Sequence, residues 1–273
     1  MKKQIFLLIP TLLLSSCGGD PQLEYKSFEI RTFQPYFNKV EGGNDNRWPL
    51  PEDFTNYNQL VPGAASYLKD NISTITYNTK SQNEILTSDM FKGFGPNQIL
   101  LFEGHGSFSP WYKDDVECHS VMWTGKDVKQ VDEDDEDHKE LRLVIADTWN
   151  DALTSEFVDY YCGDLTGSLI YLGNCLSGRD VSFAQAFLNK GASAVIGNSH
   201  TTQAFYNSCI EYTTIKYLGI INPNTKKTYT LYEALCKAKE IYGKNDKAHE
   251  PYACGSEPFI FGDPNFCLSD FKK

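Results

Sequence analysis

The sequence predicts an α/β fold of three layers, with a mainly parallel central sheet and helices on both faces. Three short apolar runs carry that prediction: "ILLFE" (99–103), "LIYLG" (169–173) and "AVIGN" (194–198). Each is continuous rather than alternating, as expected of strands buried on both faces. Helical patterns lie between them, which calls for crossover connections between parallel neighbours.

The elements follow in order. "YKSFEIRTF" (25–33) is predicted as the first strand, and the Pro/Asn/Gly-rich stretch from Pro35 to Gly63 as irregular chain. "AASYLKDN" (64–71) reads as a short helix and "ISTITYN" (72–78) as a β-branched strand. "SQNEILTSDMFKGF" (81–94) is predicted to be a helix, because Ser81 and Glu84 stand at capping-box spacing. The strand "NQILLFEGHGS" follows, ending at a histidine between two glycines. From Trp111 to Trp149, "SVMW" and "ELRLVIADTW" flank an acidic run and suggest a hairpin excursion. "TSEFVDYY" is helical in pattern, and "SLIYLGNC" is the second buried strand. The next helix, "DVSFAQAFLNKG", has Asp180 as its cap and Gly191 as its stop. After the third buried strand come helices in "TTQAFYNSCIEYTTIKYLG" and "TLYEALCKAKEIYG", then a last strand in "EPFIFGDPNFCL".

At 273 residues the length favours one large domain, expected over 23–273. The opening "MKKQIFLLIPTLLLSSC" sets two lysines before an apolar stretch too short to span a bilayer. It reads as a secretion signal over 1–16. Its "LSSC" ending resembles a bacterial lipobox, which implies a lipid on Cys17, a tether over 17–22 and a place in the cell envelope, anchored to the membrane rather than spanning it. The net charge of −11 argues against a nucleic-acid partner, and loss of Lys2 and Lys3 with the signal deepens it. Six consecutive carboxylates, Asp132 to Asp137, form a solvated run. A calcium loop is the weaker reading of that run, because the alternating EF-hand spacing is missing. No other cofactor is expected.

Of eight cysteines, Cys17 goes to the lipid and seven remain: Cys118, Cys162, Cys175, Cys209, Cys236, Cys254 and Cys267. Exported chains keep disulfides, so a working thiol would leave six cysteines able to form three bridges. The thiol that stands out is Cys175, among small polar residues at the end of a buried strand. His105 holds the equivalent place after the first buried strand, flanked by Gly104 and Gly106. In parallel sheets ligands gather beyond the carboxyl ends of the strands, so both residues belong to that edge. A thiol attacks as thiolate, and a nearby imidazole takes its proton and returns one to the leaving amine. A His-Gly and a strand-end Cys are also common as core residues, and the pair alone leaves both readings open.

Taken together and in order, "ILLFEGHGS", "LIYLGNCLSG", "GASAVIGNS" and "FIFGDPNFCL" resemble the caspase-fold cysteine peptidases, and most nearly the gingipain family. The likeness runs over roughly residues 70 to 268. It implies a caspase-like version of the three-layer fold and a cysteine endopeptidase acting on protein or peptide substrates. Cys175 would be the nucleophile and His105 the general acid/base. The amides of Gly106 and Cys175 would form the oxyanion hole. Clostripain-like relatives carry Asp two residues before the nucleophile and caspases carry Gln, where this chain has Gly173. No P1 preference is therefore inherited. Glu103, Arg179 and Asp180 are the charged residues near the motif and the candidates for lining a substrate pocket.

His200 is a further strand-end histidine, read as loop surface, and adjacent Cys118 and His119 lack a second pair at zinc-site spacing. Trp111, Trp123 and Trp149 near the cleft are able to stack on a substrate, though core packing accounts for them equally well. With no Gly-x-Ser-x-Gly elbow and no phosphate loop, a serine hydrolase or NTPase is disfavoured. The rival from another class is a catalytically silent caspase-like lipoprotein that serves as a binding or assembly module.

Overall fold

The structure is a computed structural model that describes residues 23–36, 50–51, 54–109, 119–127, 129, 131–132, 134–146, 150–247 and 255–271. The expected signal, the lipid site at Cys17, and Cys118, Trp111, Trp149 and Cys254 lie outside them.

Strand β1 (Leu23–Tyr25) pairs antiparallel with the last strand, β12 (Ser269–Phe271). The central sheet is built from β2 (Phe28–Gln34), β3 (Ile75–Gln82), β4 (Gln98–Glu103), β9 (Leu169–Gly173), β10 (Ala194–Asn198) and β11 (Pro258–Gly262). Its spatial order is β11-β10-β9-β4-β2-β3. Five strands are parallel, and β11 alone among the six runs antiparallel. Between β4 and β9 the chain makes a second, antiparallel sheet, ordered β5-β6-β8-β7, from β5 (Gly106–Ser109), β6 (His119–Asp127), β7 (Leu143–Ile145) and β8 (Asn150–Leu153).

The helices divide between two faces because successive residues of each buried strand point to opposite sides. Ile30, Leu101, Tyr171 and Ile196 pack on one side against α1 (Leu60–Asn71), α6 (Ala204–Leu218) and α7 (Leu231–Tyr242). Phe33, Phe102, Leu172 and Val195 pack on the other against α2 (Ser88–Lys92), α4 (Ser155–Tyr161) and α5 (Ser182–Asn189). All six residues of β4 are buried, and the Phe33 and Phe102 rings stack at 4.8 Å. Each such side chain contributes about 2 kcal/mol by leaving water. The three-layer α/β architecture is thus the one the buried runs predict. No helix of the described residues is long and apolar enough to cross a membrane.

Several local expectations are corrected. The predicted helix 81–94 is strand at its start: Ser81 is buried and in register with Phe33. The chain then turns at Asn83, whose φ is 57°, and the helix begins only after Thr87, whose side chain accepts from the Met90 amide. Sheet pairing and burial outweigh the local capping-box signal. Helix α1 starts at Leu60, inside the stretch expected to be irregular; Pro62 is tolerated because the first turn needs no donor there. The acid run is not wholly solvated. Asp135 caps the short helix α3 (Glu136–Lys139), and Asp137 accepts from the Arg142 guanidinium and the Tyr161 hydroxyl. Among the described residues no cluster of three or more His, Cys, Asp or Glu is arranged to hold a metal ion. The three-bridge scheme does not hold either, since Cys162, Cys175, Cys209, Cys236 and Cys267 are all free thiols.

Candidate active site

Strands β4 and β9 are parallel neighbours in register, with Glu103 opposite Gly173. Each strand ends there, and two residues later each presents its candidate: His105 on one loop, Cys175 on the other. The loops interlock through glycine. The Gly104 amide donates to the Gly173 carbonyl at 3.3 Å. A Cβ on Gly106 would lie against the Asn174 side-chain amide and 2.5 Å from the Cys175 carbonyl oxygen, so only a residue without a side chain fits. At Gly106 the missing side chain is what lets one loop approach the other.

His105 is exposed, and its ring is flanked by two aromatics. Tyr36 meets it edge-on at 4.7 Å, and Trp123 lies at 4.9 Å, tilted by 41°. The His105 carbonyl accepts from the Trp123 amide, and the Trp123 indole donates to the Ser107 hydroxyl at 3.2 Å. Strand β6 therefore fixes the histidine's backbone and one face of its ring. Trp123 stands out in the sequence as an aromatic able either to stack or to pack in a core, whereas Tyr36 lies in a stretch that reads as loop.

Cys175 is partly buried. Its thiol lies between backbone groups of Thr202: the sulfur accepts from the Thr202 amide at 3.3 Å and lies 3.4 Å from the Thr202 carbonyl, to which it donates. Burial raises its pKa, the Thr202 amide opposes that rise, and the Asp246 charge adds to it. The turn after the thiol is tight. Leu176 has φ 63°, its amide donates to the His200 carbonyl, and its carbonyl accepts from the Ser120 hydroxyl. Ser177 donates to the carbonyls of Leu172 and Asn174 and accepts from the Asn198 amide, which ties the loop to β10. Gly178 packs directly on Gly197; a Cβ at Gly178 would come within 2.8 Å of the Gly197 carbonyl carbon.

The three residues expected to line a substrate pocket separate in space. Arg179 is exposed, its guanidinium 4.5 Å above the Phe108 ring at the rim of the small sheet. Asp180 is occupied internally: it accepts from the Ser182 amide and hydroxyl and from the Ser120 amide. Burial pushes its carboxyl up, but those donors outweigh the burial and hold it below the usual range. Glu103 is buried, accepting from the Gln34 amide and the Ser208 hydroxyl, and burial pushes its pKa up to about 7 against those two donors. His200 stands on the β10 side, its Nδ1 3.0 Å from the Ser199 hydroxyl.

No family model and no curated protein matches the chain. Solved structures similar to it include the following two. One is a crystal structure of the Arg-specific cysteine proteinase gingipain R, with a TM-score of 0.49 and 14% identity over 89% of this chain and 47% of that one. The other is a complex of Porphyromonas gingivalis RgpB pro- and mature domains, with a TM-score of 0.47 and 17% identity over 89% and 48%. The chain spans about half the length of either.

Proposed function

We propose that the chain is a cysteine endopeptidase acting through Cys175 and His105. The observation that carries this reading is their placement at matching positions beyond adjacent parallel strands, on loops joined by the Gly104 to Gly173 hydrogen bond. Cys175 attacks the scissile carbonyl, forming a carbon–sulfur bond as its thiol proton passes to His105. The imidazolium then protonates the departing amine. The resulting thioester is hydrolysed by water, which His105 deprotonates in turn. Because burial raises the Cys175 pKa, the resting group is a thiol rather than a preformed thiolate, and His105 must take its proton as attack begins. The amides of Gly106 and Cys175 serve as oxyanion donors, each contributing about 3 kcal/mol at the transition state. Arg179 is the accessible charge left to meet substrate. Cys17 carries the lipid that places this domain on the envelope membrane.

The test uses the soluble domain with a peptide library and an acylating thiol probe. Cleavage and probe labelling are expected in wild type and lost in Cys175→Ala; a probe that labels the alanine variant as strongly as wild type, and so reacts at another thiol, sinks the reading. A silent binding module is favoured by one specific observation, the engagement of the Cys175 sulfur by Thr202. Failure of every peptide together with an unreactive, folded Cys175 would select it.

A further inference from the structure

Five parallel strands of the central sheet end on one polar row. Their last residues are Gln82, Gln34, Glu103, Gly173 and Asn198, on β3, β2, β4, β9 and β10. The row lies one step before the two loops of the site. The Gln82 amide donates to Gln34 at 3.1 Å, and Gln34 donates to Glu103 and to the Asn58 carbonyl. At the other end Asn198 donates to Asn207 at 2.9 Å, and Asn207 donates to the Gly173 carbonyl at 3.3 Å. In the middle Gly173 has no side chain, and α6 fills the gap. A Cβ there would lie 2.6 Å from the Phe102 carbonyl oxygen of β4, 2.7 Å from a Glu211 carboxyl oxygen and 2.8 Å from the Asn207 amide nitrogen.

Glu211 is fully buried, and Glu103 is 9% exposed. Neither carboxyl has a cation acting on it among the described residues. The titratable neighbours are each other, Tyr171 on β9 and Cys209 on α6, with Tyr206 beyond them. Two uncompensated charges do not persist side by side in such surroundings, so the pair keeps a proton. Glu103 accepts from two donors and is the better site for the charge, while burial raises Glu211 well above the usual carboxylate range and leaves it neutral.

We propose that Glu211 and Glu103 are positioning residues for the Cys175–His105 site, with the Glu211 carboxyl of α6 occupying the space of the side chain that β9 lacks at Gly173. The proposal rests on the Cys–His reading for its kinetic consequence but not for its structural one. Gly173 is then a packing requirement: its missing side chain makes room for Glu211, which sets the spacing of the β4 and β9 ends.

The experiment compares wild type with Glu211→Gln, Glu211→Ala and the volume-keeping Glu211→Met, each checked for folding by near-ultraviolet circular dichroism. Two readouts are taken: kcat and KM on the best-cleaved peptide, and the pH profile of Cys175 alkylation by iodoacetamide, resolved by peptide mass spectrometry. Glu211→Gln, neutral and near-isosteric, should stay within about threefold of wild type in kcat and keep its alkylation profile. Glu211→Ala, or Glu211→Met if the alanine variant does not fold, should lose at least about tenfold in kcat with KM little changed, and should move the alkylation rate by a similar factor. A wild-type-like Glu211→Met overturns the proposal, as does a Glu211→Gln as damaged as the alanine variant. If wild type cleaves no peptide, the endopeptidase reading fails, and the alkylation profiles alone decide the positioning role.

Discussion

The amide of Gly104 donates to the carbonyl of Gly173, a bond that joins the loop of His105 to the loop of Cys175. Seventy residues of sequence separate the two candidates, and a whole antiparallel sheet is inserted between them. Their approach is therefore set by sheet register and by what the glycines allow, which makes the glycines the sharpest probes.

Gly106→Ala puts a methyl group against Asn174 and the Cys175 carbonyl, with the Val121 carbonyl oxygen at 3.0 Å on a third side. Backbone atoms on two sides leave it nowhere to go. The expected cost is about 1–3 kcal/mol of stability, with loss of probe labelling at Cys175. Urea unfolding and labelling mass spectrometry read the two effects; a variant that labels at the wild-type rate contradicts the interlocked geometry.

Gly178→Ala tests the seat of the same loop on β10. Its Cβ would lie 2.8 Å and 2.9 Å from the carbonyl carbon and oxygen of Gly197, so loop and strand must part. A loss of about 1–3 kcal/mol is expected by urea melt, together with reduced labelling. Unchanged stability would show that the two backbones are not in contact.

Trp123→Ala removes one of the two rings flanking His105 and leaves the strand backbone in place. Aromatic contacts of this kind contribute about 0.5–1.5 kcal/mol, so kcat/KM should fall by about two- to tenfold. Trp123→Phe should restore most of it. Steady-state kinetics at several pH values check this, and equal loss in both variants would point to the indole bond to Ser107 rather than to the ring face.

Glu103 gives a pH signature. Burial raises its carboxyl from an ordinary 4.5 to about 7 in the folded chain, so between those values the folded state holds a proton that the unfolded chain has released. Stability from that proton is fully present below the unfolded value and is lost as pH rises through about 7, at about 1.4 kcal/mol for each pH unit between the two values. Glu103→Gln cannot ionise. Its urea midpoint should fall less than that of wild type between about pH 5 and about pH 8, and parallel curves for the two proteins would refute the assignment.

Much of this architecture is legible in the sequence because β4, β9 and β10 are buried on both sides and read as continuous apolar runs. The strand-end positions of His105 and Cys175 follow from those runs and their glycine stops. Less legible is whatever depends on distant pairing. Ser81 and Gln82 look like a helix start, yet they complete a strand beside β2. The charges of Glu103 and Asp180 suggested a pocket from sequence proximity alone, but alternation turns Glu103 beneath the sheet and nearby amides capture Asp180. Tyr36, Thr202 and Glu211 reach the site from three separate segments. No local pattern announces them.

The hold of Thr202 on the Cys175 sulfur also has a consequence in time. A chain made from its N-terminus exposes Cys175 before Thr202 exists, and Glu211 follows later still. The thiol acquires its cradle only once Thr202, 27 residues further on, has been added, and the last row of the sheet gains the Glu211 carboxyl only at the thirty-sixth residue beyond Cys175. Until then a growing chain carries the cysteine without the residues that surround it in the folded domain.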